Sequence, residues 1–444
     1  MNRDNLDFGN GKIGRLFRTM FFPTLIAMVF NSLLNICDGM FVGHGVGPDA
    51  LAAINIVAPM FLLTTGVGLM FGIGSSVIAS IRLAEGNVKS ARIIMTQAFI
   101  AGAVIFSIII AMTALFTKPL LYLAGCSEAL EGLATDYLLW LLPGFFFFYI
   151  QCVGMMLIRL DGSPKMAMAI QIISAVLNIS LDWLMVFPLG MGIAGASIAT
   201  SISCVAGGLL VLAYFLKFSS TLKFYRLKAS RKSLLLTVRN VGYMAKIGFA
   251  TFVTELAIGV MIVTGNYVFI SRLGENGVAA YSVGCYLFPL IFSLSNAVAQ
   301  SAQPIISFNY GAGKRDRVGQ TLRLSLITGA ICGTAVTVVM WLGAPLLAAI
   351  FLPSDTTAFG LAVHGLPLFG LSSLFFSLNI VMIGYYQSVE QAARSTLYTI
   401  MRGIIFLIPA FIFLPAAIGN DGLWLAIPAA ELLTLITIAI TFRR

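Results

Sequence analysis

The feature that most constrains this chain is a succession of long apolar runs, each nearly free of charge and separated by short polar stretches. In a bilayer each backbone N–H and C=O must find its partner inside the segment, so runs of ~20 apolar residues read as spanning helices. Twelve are expected, near residues 18–42, 52–81, 93–117, 132–158, 167–188 and 194–216, then 246–270, 279–308, 320–343, 357–385, 393–415 and 421–441. Composition agrees: 59% of residues are hydrophobic and only 10% charged, with a mean hydropathy of +0.97. That excludes an ordinary soluble domain.

Direction follows from charge, because cytoplasmic loops hold most Lys and Arg. With the N-terminus inside, 25 of the 27 basic residues fall on or beside cytoplasmic segments, and only Lys118 and Arg272 lie outside. Both termini are then cytoplasmic. The net charge of +10 is explained by topology, and no nucleic-acid partner is inferred from it. Met1 to Thr19 is polar and basic, and the apolar run after it is longer than a signal-peptide core and lacks a small-residue cleavage pattern. The first span is expected to be retained. The six cysteines are scattered with no CxxC or His-rich pairing, so they read as packed free thiols and no metal or redox cofactor is expected.

The polar stretch "KFSSTLKFYRLKASRKSLLLTVRN", Lys217 to Asn240, divides the chain near its middle. This suggests an N-lobe over residues 1–216, a basic cytoplasmic linker over 217–245 and a C-lobe over 246–444. The two lobes repeat each other. "DGMFVGHGVGPDALAA" from Asp38 aligns with "NYVFISRLGENGVAA" from Asn266 when one residue is dropped. "LAEGNVKSAR" from Leu83 sits over "YGAGKRDRVG" from Tyr310, and "GIAGASIA" from Gly192 over "GNDGLWLA" from Gly419, both at an offset of 227. Six spans return the chain to its starting side, so the repeats are parallel. Parallel repeats with a site between them are a transporter architecture.

Three spans of the N-lobe carry polar stripes at helical spacing. The first has Asn31, Asn35 and Asp38; the fifth has Gln171, Ser174, Asn178 and Asp182; the sixth has Ser197, Thr200, Ser201 and Cys204. Ser, Thr and Asn stripes are common interhelical glue. Carboxylates are costly glue, at least ~2.5–3.5 kcal/mol each at mid-membrane, and no Lys or Arg shares the spans of Asp38 and Asp182. Two carboxylates, an amide oxygen and a hydroxyl make an oxygen-rich nest for a small cation, or a pair that shares a proton. Either describes a site for a coupling ion.

In these stretches the chain resembles the multidrug and toxic compound extrusion (MATE) transporters. "DGMFVGHGVGPDALAA" is similar to the family's first-helix aspartate and glycine-rich exit loop, and "LNISLDWLMVF" with "GIAGASIATSIS" to its fifth and sixth helices. "FVTEL" from Phe252 and "QPIISFNYGAGKRDRV" from Gln303 resemble the bacterial MepA-like branch. The resemblance implies an all-α polytopic membrane protein with twelve transmembrane helices in two pseudo-symmetric six-helix bundles, V-shaped, monomeric and set in the bacterial cytoplasmic membrane. It implies a cation-coupled antiporter, using Na⁺ or H⁺, that exports lipophilic, often cationic compounds by alternating access, and not an enzyme. Residue by residue it places the cation site on Asp38, Asn178, Asp182 and Thr200, and a hinge on Pro23; a proline in the first helical turn is the plainer reading of Pro23. In the C-lobe, Glu255 and Glu431 lie inside spans seven and twelve with no basic residue in their own span. Some family members pair a seventh-helix glutamate with a tenth-helix aspartate, but the tenth span here has no acid and only His364 near its outer end.

Substrate contacts are less specific, since 34 Phe and 19 Met suit an adaptable cavity and lipid-facing positions equally. Asn35, Tyr149, Gln151, Met155, Asn266, Tyr281 and Tyr286 are candidate cavity residues. Two other functions fit less well. A flippase for a lipid-linked sugar precursor calls for cationic residues to meet phosphate, and mid-span Lys and Arg are nearly absent. An intramembrane aspartyl enzyme built on Asp38 and Asp182 has no need of the internal repeat.

Overall fold

The computed structural model describes residues 6–124, 126–228 and 230–442, without the side chains at 35, 36, 44, 48 and 51. Among the described residues all regular structure is helical: α1 (Ile13–Gly45), α2 (Pro48–Ala84), α3 (Val88–Leu115), α4 (Thr117–Leu123), α5 (Glu131–Leu160), α6 (Pro164–Val186), α7 (Gly192–Ala213), α8 (Arg231–Gly311), α9 (Arg315–Leu342), α10 (Ala344–Phe351), α11 (Thr357–Gly370), α12 (Ser372–Ser388), α13 (Ala392–Ile400), α14 (Leu407–Ile418) and α15 (Asp421–Phe442). Among the described residues, eleven helical stretches are long and apolar enough to span a membrane. The longest, α8, has 81 residues and breaks at Gly274, where φ is 63° and ψ −157°. That conformation is open to glycine and strained for other residues. Counting α8 as two spans gives the expected twelve.

Local sequence explains where helices begin. Asn87 accepts a bond from the Ser90 amide at 3.0 Å to open α3, and Thr356 does the same for Phe359 at 3.2 Å to open α11. Pro48 and Pro164 occupy first turns, where the missing N–H costs nothing. The structure refines two expected spans. The tenth is two helices, α11 and α12, meeting at Leu371 after Pro367 removes one rung of the ladder. The eleventh is interrupted by a π-helical turn, Met401–Ile405, between α13 and α14.

Two compact units result. The N-terminal unit holds residues 1–252 and 307–314, and the C-terminal unit holds 253–306 and 315–444. In the first, α5 packs on both α2 and α7, while α6 lies between α1 and α7. Its core includes Val42, Val57, Leu138, Leu142, Val186 and Ala196. In the second, α12 packs on α9 and α15, around an aromatic nucleus in which the Phe269 ring stacks on Tyr281 at 4.5 Å and meets Trp424 edge-on at 4.9 Å.

The repeat seen in the sequence is also a repeat of helix boundaries. The helices α3 and α9 each have 28 residues and start at Val88 and Arg315, 227 positions apart. The short helices that follow start at Thr117 and Ala344, again 227 apart. Pro164 and Ala392, which open α6 and α13, are 228 apart.

Candidate functional site

The polar stripes of α1, α6 and α7 meet inside the N-terminal unit. Contacts along α1 recur every seven residues, which is close to two helical turns. At Asn31 the amide oxygen accepts from Gln171 Nε2 at 3.0 Å. At Asp38 the carboxyl comes within hydrogen-bonding reach of the Asp182 carboxyl. At Gly45 the backbone approaches α6 so closely that a Cβ there would lie 2.3 Å from Val186 Cγ1. The close pass at Gly45 holds α1 against α6 and so brings the two acids together.

Asn178 and Asp182 are 0% and 1% exposed. Asn178 Nδ2 donates to Thr200 Oγ1 at 3.2 Å, which turns the amide oxygen away from that bond. Four buried oxygens then have no donor among the described residues: Asp38 Oδ1, Asn178 Oδ1 and both carboxylate oxygens of Asp182. Two ionised carboxylates can only accept, so the close pair makes no hydrogen bond until a proton is shared. Buried polar atoms in folded proteins are almost always satisfied. A monovalent cation or a proton would satisfy these. Among the described residues no three His, Cys, Asp or Glu side chains converge in a metal-ligating group.

The site has a member that the sequence reading missed. Tyr137 of α5, 6% exposed, lies within electrostatic reach of both carboxyls. It follows Asp136 and opens the apolar run "YLLWLL", so no stripe at helical spacing points to it. On the other side of the acids, Gln151 of α5 donates to Gln171 Oε1 at 3.2 Å, extending the Asn31–Gln171 contact into a three-helix amide ladder. Ser174 donates to the Ser203 carbonyl at 2.9 Å, the glue role expected of such serines.

Pro23 is buried and lies about three turns into α1, which starts at Ile13. The first-turn reading of Pro23 is therefore excluded, and the backbone there lacks one internal bond. The remaining candidates are dispersed. Tyr149 is 0% exposed and its hydroxyl donates to the Ala98 carbonyl at 2.7 Å. Tyr281, 1% exposed, donates to the Met261 carbonyl at 3.0 Å. Both hydroxyls are occupied in packing. Met155 is buried, Tyr286 is exposed and stacks on Phe351 at 5.5 Å, and Asn266 has a buried side-chain oxygen without a donor among the described residues. The side chain of Asn35 lies outside the described residues.

The acids of the C-terminal unit differ from one another. Glu255 is 4% exposed, and no hydrogen bond or ion pair reaches its carboxylate among the described residues. Glu431 is paired: Arg402 Nη2 and Nε donate to its Oε1 at 2.7 and 3.0 Å. The charge pattern alone places Arg402 beside a cytoplasmic segment, and no cation shares the span of Glu431. The partner comes from the neighbouring span, where spacing within one helix cannot reveal it.

The repeat shows that the acid site is one-sided. Asp38 corresponds to Asn266, and shifted by 227 or 228 positions Asn178 falls on Ile405 or Phe406 and Asp182 on Pro409 or Ala410. The C-terminal unit has no second carboxyl pair at the equivalent place.

A twelve-span chain built as two repeats, with a buried acid pair in one of them, falls in the class of repeat-built membrane transporters. The MatE family model matches residues 23–184 and, a second time, residues 253–412, and the chain belongs to that family. Over 412 residues it is 23% identical to a multidrug export protein MepA of Staphylococcus saprophyticus, covering 91% of this chain and 89% of the relative. Over 432 residues it is 24% identical to an FAD transporter of Shewanella oneidensis, covering 95% and 92%. The fold is similar to that of an outward-facing multidrug resistance MATE family transporter of the MOP superfamily, with a TM-score of 0.90 at 21% identity over 98% of this chain and 96% of that one.

Proposed function

We propose that this protein is a multidrug exporter that couples outward movement of lipophilic, often cationic compounds to inward movement of Na⁺ or H⁺. The observation that carries this reading is the Asp38–Asp182 pair, buried with Asn178 among oxygens that lack donors. Occupied by a cation or a proton, the pair keeps one negative charge shared between its oxygens; vacated, it leaves two carboxylates that repel in apolar surroundings. An ion can bias a conformational equilibrium only through such a difference in affinity between two states. The loaded and empty sites favour different packings of α1, α6 and α7, with Pro23 as the point where α1 bends. Asn178 and Thr200 orient or ligate the ion but cannot carry the proton.

The change in packing then exposes the drug to each side of the membrane in turn, by alternating access. Similarity to a MepA exporter along nearly its whole length supports the drug-export reading. The basic residues support cytoplasmic termini in a bacterial inner membrane, and the protein is taken to act as a monomer. The test is efflux from reconstituted vesicles under an imposed Na⁺ gradient and, separately, an imposed pH gradient. Export under one of them, abolished in Asp182→Asn, is expected. Export driven equally well with neither gradient overturns the proposal.

A further inference from the structure

The segment that joins the two halves is strapped onto the N-terminal unit. Asp161, just after α5, accepts from the Ser220, Thr221 and Leu222 amides at 3.0, 2.9 and 2.8 Å, and from the Tyr214 hydroxyl at 2.7 Å. From α3, Arg92 Nε donates to the Thr221 carbonyl at 2.8 Å and Thr96 accepts from the Tyr225 amide at 2.9 Å. Gln97 binds Thr237 and Asn240, both at 2.9 Å. The inner edge of the strap is thereby fixed.

Its outer face is basic and greasy at once. Residues 217–240 contain Lys and Arg but no Asp or Glu, and Lys223, Lys228, Arg231 and Lys232 are exposed. Beside them Leu234 and Leu235, at the start of α8, are 66% and 64% exposed. The apolar span of α8 is expected to start near residue 246, and the fifteen residues before it add ~22 Å at 1.5 Å per residue. That length does not fit within a hydrocarbon core of ~30 Å together with the span itself. Exposed leucines flanked by cations at this level match the headgroup boundary.

We propose that the strap, Lys217–Asn240, is a docking surface for anionic phospholipid headgroups of the cytoplasmic leaflet, locked to the unit that carries the acid pair. Cations complement phosphate, and Leu234 and Leu235 enter the acyl boundary. Each basic residue near such a surface strengthens association about fivefold. The inference rests on the cytoplasmic placement of the linker and is independent of the transported ion or drug.

The full-length protein in nanodiscs, with phosphatidylglycerol increasing against phosphatidylcholine, tests it through the thermal unfolding midpoint. The same lipid occupies both leaflets of a nanodisc, so orientation does not enter. Wild type is expected to gain stability with phosphatidylglycerol. Lys228→Gln/Arg231→Gln/Lys232→Gln is expected to need at least fivefold more phosphatidylglycerol for the same gain, while Lys12→Gln/Arg15→Gln/Arg18→Gln loses distinctly less. A second variant, Leu234→Ser/Leu235→Ser, is expected to lose part of the gain with every charge in place. A wild type indifferent to phosphatidylglycerol, equal losses in the two charge variants, or an unaffected leucine variant shows a merely solvated surface and overturns the proposal.

Discussion

Arg402 and Glu431 form a closed ion pair inside the C-terminal unit, with side chains only 6% and 4% exposed. Asn379 Nδ2 completes it with a bond to Glu431 Oε2 at 2.7 Å, and the guanidinium carbon lies 4.4 Å from the Phe376 ring centroid. Shifted by the 228 positions that separate α6 from α13, Arg402 falls on Ser174, and shifted by the 227 that align Gly192 with Gly419, Glu431 falls on Cys204, next to the Ser203 carbonyl that accepts the Ser174 hydroxyl. The same neighbourhood is thus held by a neutral hydrogen bond in one repeat and by an ion pair in the other.

The pair predicts non-additive stability effects. Removing one partner leaves a buried charge unpaired, so Arg402→Met is expected to cost about 3–5 kcal/mol, whereas the double variant Arg402→Met/Glu431→Met should recover most of that loss. Thermal unfolding of the detergent-purified protein reads both. A single variant as stable as wild type removes the argument.

The acid pair of the N-terminal unit predicts a different pattern. Asp38→Asn and Asp182→Asn keep side-chain size but take away the titratable charge, so each is expected to abolish gradient-driven efflux while the protein still folds in the membrane. Full transport by either variant means that the coupling site lies elsewhere.

How much of this the sequence revealed follows from the range of each interaction. The spans were legible because hydropathy is a local property, and the acid pair because Asn31, Asn35 and Asp38, and Gln171, Asn178 and Asp182, mark single helix faces. The repeat was legible through glycine-rich turns such as "GIAGASIA". Partners from other helices were not. Arg402 reaches Glu431 across 29 positions, Tyr137 joins the site from the apolar stretch "YLLWLL" of α5, and Tyr149 is committed to Ala98 across 51 positions. The folding of the linker onto Asp161 was equally hidden, since the stretch reads only as polar and basic.

Pro23 offers a separation of stability from activity. A proline within a helix costs ~3 kcal/mol or more relative to a residue that completes the ladder. Pro23→Ala is therefore expected to raise the unfolding midpoint and slow efflux, because it restores an unbroken α1. An alanine variant with wild-type transport rates excludes Pro23 as the hinge.

The last prediction separates the two units. Thr200 is neutral and its hydroxyl already accepts from Asn178 at 3.2 Å, so it helps orient the amide oxygen that faces the ion. Thr200→Val should raise the Na⁺ or H⁺ concentration needed for half-maximal efflux, by roughly fivefold if one hydrogen bond worth ~1 kcal/mol is lost with its orientation, without abolishing the titratable step. Glu255 lies in the other unit, buried and, among the described residues, without the counter-ion that Glu431 has. A lone carboxylate in apolar surroundings gains most from a cation that neutralises it. Glu255→Gln is therefore expected to lower transport of a cationic drug more than that of a matched neutral one, with the ion dependence unchanged. Efflux assays with the two substrates decide, and an equal loss for both assigns Glu255 to ion coupling instead of drug binding.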